Sequence, residues 1–198
     1  MAFHLYGSLF CLSAYLLGSI PFGLVVSRIL DTQDPRQGGS GNIGFTNVLR
    51  LSGKRNGILT LFGDLGKGWL VSVLATTFFY NNIWGLFGLL LVILGHIFPV
   101  FLKFKGGKGV ATGLGGILGF DFVLGIILIS IWLTTVGIWK YSSGGALMAF
   151  ILFPVITWVM GQKIEFLIFS ILISGIIISK HKQNIKRLVD GTESRIEF

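Results

Sequence analysis

An apolar run ends in Gly95-His96-Ile97-Phe98-Pro99, and Lys103, Lys105, Gly106, Gly107, Lys108 and Gly109 follow before the next apolar run opens at Val110. Glycines let successive backbone N–H groups face one way without side-chain obstruction, a new helix start adds the positive end of its dipole, and Lys105 and Lys108 add full charges. That combination suits a phosphate. A Walker-type nucleotide loop is excluded, because it needs Ser or Thr directly after the lysine and a preceding strand, whereas Lys108 is followed by Gly109. Three lysines after an apolar run also serve as a cytoplasmic topology signal. That reading leaves the glycines unexplained, so the corner is read as an anion site.

Other polar groups cluster in four places. Asp64 and Lys67 lie three apart inside an apolar run and so share a helix face. Ionisable groups within a membrane helix are costly and default to function; the alternative is a crossing that begins only near Lys67. His96 either contacts substrate or makes a hydrogen bond between helices, worth about 1 kcal/mol. Ser40, Asn42, Thr46, Asn47 and Arg50 share a polar, glycine-rich segment. This segment can open a helix near Ser40 to Asn42 as a cap, or bind an anion with Arg50 giving a bidentate grip, which is preferred. Ser142 and Ser143 either cap the sixth crossing or join a site. His181 and Asn184 fall on one side of a basic tail helix, which alone would be a solvated face. The three histidines, His4, His96 and His181, are scattered and Cys11 is the sole cysteine, so neither a metal constellation nor a disulfide within the chain is expected. With no Gly-x-Ser-x-Gly elbow either, the chemistry must come from an activated substrate.

The elements that carry these groups belong to a membrane. The 198 residues are 53% hydrophobic and 12% charged, with mean hydropathy +0.82, and the charged share is about half that of a soluble domain. A net charge of +8 would raise nucleic acid as a partner of a soluble protein. Here the basic residues fall between apolar runs, so topology, lipid headgroups and anionic substrates account for them and no nucleic acid is expected. The spacing predicts crossings at residues 5–26, with a kink near Pro21, then 58–79, 83–98 after an uncharged Asn81-Asn82 turn, 122–139, 146–160 and 164–179. Val110 to Phe120 reaches only about 16 Å at the helical rise, too short to span alone.

Placing Arg28 to Arg55, Lys103 to Lys108, Lys140 and Lys180 to Arg187 in the cytoplasm requires an even number of crossings between them. The expectation is an all-α polytopic membrane protein with seven transmembrane helices, one of them short and glycine-rich. Its N-terminus is outside and its C-terminus cytoplasmic, with residues 1–198 forming a single membrane-embedded domain. The polar motifs then share the cytoplasmic side, where the tail is expected beside Ser40 to Arg50.

Gly18-Ser19-Ile20-Pro21-Phe22-Gly23, Gly39-Ser40-Gly41-Asn42-Ile43-Gly44-x-Thr46-Asn47-Val48-x-Arg50, Asp64-x-x-Lys67-Gly68, the corner from Gly95 to Thr112 and His181-x-x-Asn184-Ile185-x-Arg187-Leu188-x-x-Gly191-Thr192-Glu193 together resemble the bacterial acyl-phosphate:glycerol-3-phosphate acyltransferase family. The resemblance covers essentially the whole chain. It departs at Phe45, where the family usually has a small residue. It implies transfer of a fatty acyl group from acyl phosphate to the sn-1 hydroxyl of glycerol 3-phosphate, giving lysophosphatidic acid and phosphate. Catalytic roles would fall to His181, Asn184, Ser40, Asn42 and Thr46. Substrate binding would fall to Arg50, Lys105, Gly106, Gly107, Lys108, Gly109, Asp64, Lys67, His96, Ser142, Ser143, Arg187 and Glu193. Neither cofactor nor metal is implied; the partners are the two substrates and membrane lipids, and a monomer in the bacterial inner membrane is expected. A phosphate-binding transporter, for organophosphates or lipid phosphates, is the alternative from another class. It would need polar groups reaching the far side, where the sequence offers only Asp121, Lys163 and Glu165.

Overall fold

The computed structural model describes residues 2–79 and 83–196; the expected Asn81-Asn82 turn lies outside the described residues. Helices and turns make up the described residues, without a strand. In chain order the helices are α1 (Ala2–Gly18), α2 (Phe22–Ile29), α3 (Phe45–Phe78), α4 (Ile83–Ile97), α5 (Val110–Phe120), α6 (Phe122–Trp139), α7 (Ser142–Val159), α8 (Ile164–Lys180) and α9 (Lys182–Val189). Four stretches are long and apolar enough to cross a membrane, namely α3, Ile83–Leu102, α6 and α7, and the number rises to six if each of two bent pairs is one span. The pairs are α1 with α2, bent by 49°, and α8 with α9, bent by 62°. The first bend falls at Ser19 to Pro21 as the sequence predicts, because Pro21 has no N–H to continue the ladder.

By contact the chain divides into two compact units, Met1–Asp121 and Phe122–Phe198. In the first, α3 packs along α5 and α1 along α4. The α3–α5 seam is set by glycine: a Cβ on Gly68 would fall on the Thr112 carbonyl, and one on Gly115 on the Leu65 carbonyl. Small residues bring membrane helices to backbone contact, and dispersion then holds them where the hydrophobic effect cannot. The 11-residue α5 thus lies against α3, with Thr112 to Ile117 buried. In the second unit α7 packs on α6 and α8. Phe150, Phe153, Phe166 and Phe169 form its aromatic core, with Phe166 and Phe169 stacked at 5.5 Å between centroids. Such ring pairs add about 0.5 to 1.5 kcal/mol beyond their buried area.

The helix starts bear on three readings of the sequence. The helix that carries the second crossing starts well before Ile58: α3 begins at Phe45 and runs through the polar segment, interrupted at Gly53, whose φ of 82° is not helical. Asp64 and Lys67 therefore sit well inside a helix rather than at its mouth. Its N-cap position is Gly44, not Ser40 or Asn42. Likewise Ser142 and Ser143 are the first two residues of α7, and its N-cap position falls to Tyr141.

Candidate functional site

The segment before α3 is organised by Asn47, a buried side chain that the sequence placed in the motif without a role of its own. Its amide nitrogen donates to the carbonyls of Pro35 (2.8 Å), Asn42 (2.9 Å) and Gly38 (3.2 Å), and its oxygen accepts from the Ser40 amide (2.9 Å). One side chain thereby satisfies both ends of the turn and fixes Ser40, which is exposed, and Asn42, which is half-buried. Thr46 and Arg50 follow on the first turns of α3, four apart and on one face. Arg50 is exposed, and the positive end of the α3 dipole lies beside them.

The corner between α4 and α5 is built on the last carbonyls of α4. The Gly107 amide donates to the His96 carbonyl (3.0 Å) and the Gly106 amide to the Ile97 carbonyl (3.2 Å). These two glycine amides close α4, so they do not form the open row of donors that the sequence suggests. Lys103 and Phe104 then take left-handed backbone, at φ 51° and 62°. Gly109, the N-cap of α5, has φ 86°, a conformation that suits glycine. The α5 ladder begins with Gly113 N–H on the Gly109 carbonyl at 2.7 Å, which leaves the amides from Val110 to Thr112 without partners inside the helix. Lys105 is exposed and Lys108 half-buried at that end. A helix start with a lysine before it is an anion-binding arrangement.

Beneath the corner sit Asp64, Lys67 and His96, each at most 4% exposed. Lys67 Nζ lies 2.9 Å from Asp64 Oδ1 and 3.0 Å from His96 Nδ1, and His96 Nδ1 lies 3.2 Å from Asp64 Oδ1. Lys67 also donates to the Gly18 (2.9 Å) and Ile20 (2.8 Å) carbonyls, which the break at Pro21 withdraws from the helical ladder. The pair is therefore tied into the fold. His96 thus has a carboxylate beside it.

In the second unit the structure brings Ser143, Asn184, Arg187 and Glu193 together. Glu193 accepts from Ser143 Oγ (2.7 Å) and Asn184 Nδ2 (2.6 Å) through Oε1 and from Arg187 Nε (2.6 Å) through Oε2. Burial alone would push the Glu193 carboxyl up, but these hydrogen bonds outweigh it and hold the group below the usual glutamate range. Ser142 is half-buried next to Ser143. His181 and Asn184 are buried at 2% and 5% exposure, so this face of α9 is not solvated. His181 Nδ1 is 2.8 Å from the Ile177 carbonyl; a carbonyl can only accept, so Nδ1 carries the proton and Nε2 is the basic nitrogen. Among the described residues no cluster of three or more His, Cys, Asp or Glu could hold a metal.

A family model described as glycerol-3-phosphate acyltransferase matches residues 8–191. The glycerol-3-phosphate acyltransferase of Bordetella pertussis is 45% identical over 191 residues, covering 92% of this chain and 88% of that protein. The enzyme of the same name from Nitrosomonas eutropha is 45% identical over 190 residues, covering 93% and 94%. Crystal structures of PlsY (YgiH), an integral membrane glycerol 3-phosphate acyltransferase, align over 97% of this chain and 96% of theirs. The glycerol 3-phosphate form has a TM-score of 0.93 at 37% identity, and the lysophosphatidic acid form 0.88 at 36%. The fold and these matches define a multi-pass integral membrane acyltransferase. The chain belongs to the glycerol-3-phosphate acyltransferase family.

Proposed function

We propose that the chain transfers a fatty acyl group from acyl phosphate to the sn-1 hydroxyl of glycerol 3-phosphate. The observation that carries this reading is the corner at Lys108 and Gly109, which presents a lysine and a helix start to an anion above a fold shared with glycerol 3-phosphate acyltransferases. An acyl phosphate is a mixed anhydride whose phosphate leaves readily. The hydroxyl oxygen attacks the acyl carbon, the bond from that carbon to the phosphate oxygen breaks, and the hydroxyl proton passes to the departing phosphate. No acyl-enzyme is needed, and the protein's work is to hold two phosphates and a hydroxyl in register and stabilise charge, worth roughly 7 to 11 kcal/mol from orientation in favourable cases. Lys105, Lys108, Gly109 and Arg50 would bind phosphate. Ser40, Asn42, Thr46, His181 and Asn184 would serve the reacting groups, and Ser142, Ser143, Arg187 and Glu193 would complete substrate binding. Gly106 and Gly107 would shape the corner.

Seven crossings follow if both bent pairs and the short α5 are each counted as one. The positive-inside pattern puts the N-terminus outside and the phosphate site on the cytoplasmic side of a bacterial inner membrane. The family match runs from residue 8 to residue 191, which supports one acyltransferase domain over 1–198; that domain would act as a monomer among membrane lipids. Membership of an enzyme family decides against the transporter reading.

The test is to incubate detergent-purified protein with acyl phosphate and glycerol 3-phosphate and follow lysophosphatidate and phosphate. Turnover with acyl phosphate but not with acyl-coenzyme A, with no label left on the protein by acyl phosphate alone, is expected. A stoichiometric adduct at Ser40, Ser142 or Ser143 would overturn direct transfer. Lys108→Ala and Arg50→Ala should each lose tenfold to over a hundredfold in kcat/KM, since a charge-assisted contact is worth about 1.5 to 3 kcal/mol.

A further inference from the structure

Lys67 has nothing left to offer an anion. An ammonium has three protons and no acceptor, and three oxygens surround Nζ: Ile20 O at 2.8 Å, Gly18 O at 2.9 Å and Asp64 Oδ1 at 2.9 Å. His96 Nδ1, 3.0 Å from Nζ, is a fourth neighbour for those three protons. Nδ1 also lies 3.2 Å from Asp64 Oδ1. These contacts hold one edge of the imidazole, and the opposite edge of the ring lies against Gly107. A Cβ at position 107 would collide with His96 Nε2, and one at 106 with the His96 carbonyl and Pro99. The same residue's carbonyl receives the Gly107 amide. Side chain and backbone of His96 thus form the floor on which the corner rests.

We propose that Asp64, Lys67 and His96 are positioning residues for the corner rather than ligands of the substrate. The carboxylate orients the imidazole, the imidazole supports Gly107, and Gly107 sets the turn that aims Lys108 and the start of α5. Lys67 has a second task, since an unneutralised carboxylate buried under a phosphate site would repel the phosphate. It also pins the broken end of α1 to the same assembly. This inference rests on the corner being the phosphate site, as proposed above.

Two double variants separate orientation from charge and stability. Asp64→Asn with Lys67→Met, and Asp64→Leu with Lys67→Met, are both neutral and both withdraw the ammonium from the Gly18 and Ile20 carbonyls. They differ in whether an oxygen remains beside His96 Nδ1. Melting temperatures within a few degrees of each other are expected, with KM for glycerol 3-phosphate about tenfold higher in the leucine variant, as misplacement of a binding group predicts. Equal KM values would overturn the positioning role. A cycle at Gly107 and His96 tests it without touching the charged pair. Gly107→Ala should raise KM, and adding His96→Ala should lower it again by removing the obstructing ring, whereas independent losses would refute the contact's role. Lys108→Ala keeps the two readings apart: an unchanged KM there sinks the phosphate site itself, while a raised KM beside equal values in the double variants sinks only the positioning role.

Discussion

Glu193→Ala removes the acceptor for three hydrogen bonds at once. In the wild type the Glu193 side chain is 6% exposed and Arg187 35%, so Arg187 finds water after the change, but Asn184 and Ser143 are buried. Each buried donor that loses this acceptor costs about 1 to 3 kcal/mol, and loss of the carboxylate's own desolvation returns part of that, so we expect a net loss of about 2 to 4 kcal/mol. For a chain of this size that corresponds to a melting temperature lower by roughly 4 to 16 °C. Glu193→Gln keeps the shape but can turn an N–H₂ toward Asn184 or Arg187, so it should recover less than half of the loss. The pH dependence has a definite sign. A carboxyl held below its ordinary range contributes stability that is complete above the unfolded glutamate value and disappears as pH falls through the lowered folded one. Thermal unfolding in detergent at pH 7 and near pH 4 measures both effects: the wild type should lose stability on acidification, and Glu193→Ala should lose less. A melting temperature for Glu193→Ala within 2 °C of wild type at pH 7, or the same acid sensitivity in both proteins, would refute the reasoning.

Asn47→Ala should cost about 2 to 4 kcal/mol and expose the Pro35 to Gly44 turn to protease, because it strands carbonyls and the Ser40 amide together; limited proteolysis reads it. Gly68→Val should abolish folded protein, since its side chain would occupy the Thr112 carbonyl; recovery of a monodisperse peak in gel filtration would contradict the seam. Single cysteines in place of Lys105 and Lys163, tested with an impermeant reagent on intact cells, should label at 163 and not at 105; the reverse would overturn the proposed topology.

Some of this was legible because the signal is local. Val110 to Phe120 is bracketed by Lys108-Gly109 and Asp121, and Phe122 to Trp139 by Asp121 and Lys140, so charge and glycine mark both ends and the helices fall where the sequence puts them. Pro21 announces the bend through its missing N–H. The start of α3 was less legible, because Ser40-Gly41-Asn42 has the composition of a cap while the role falls to Gly44. The polar helix that follows is also cut at Gly53, which reads as an end. Asp64 and Lys67 advertise a pair by their spacing, yet two of Lys67's partners are backbone carbonyls, which have no sequence signature beyond the proline that frees them. The grouping of Glu193 with Ser143 follows from no periodicity at all, since it joins residues 50 apart. Asn47 looked like one more polar residue in a motif; its four contacts exist only once the turn has closed.

The contact between Ser143 and Glu193 also sets an order of events at the ribosome. Ser143 is made 50 residues before the carboxylate it serves, which at common elongation rates is about 3 to 10 seconds. During that interval α7 and α8 must enter the lipid with the hydroxyl of Ser143 still waiting, and Asn184 waits for the last nine residues of the separation. The groups around Lys67, by contrast, are all complete once Gly107 has been made. The nascent chain therefore acquires its two polar centres in sequence, the one under the corner first and the one around Glu193 last.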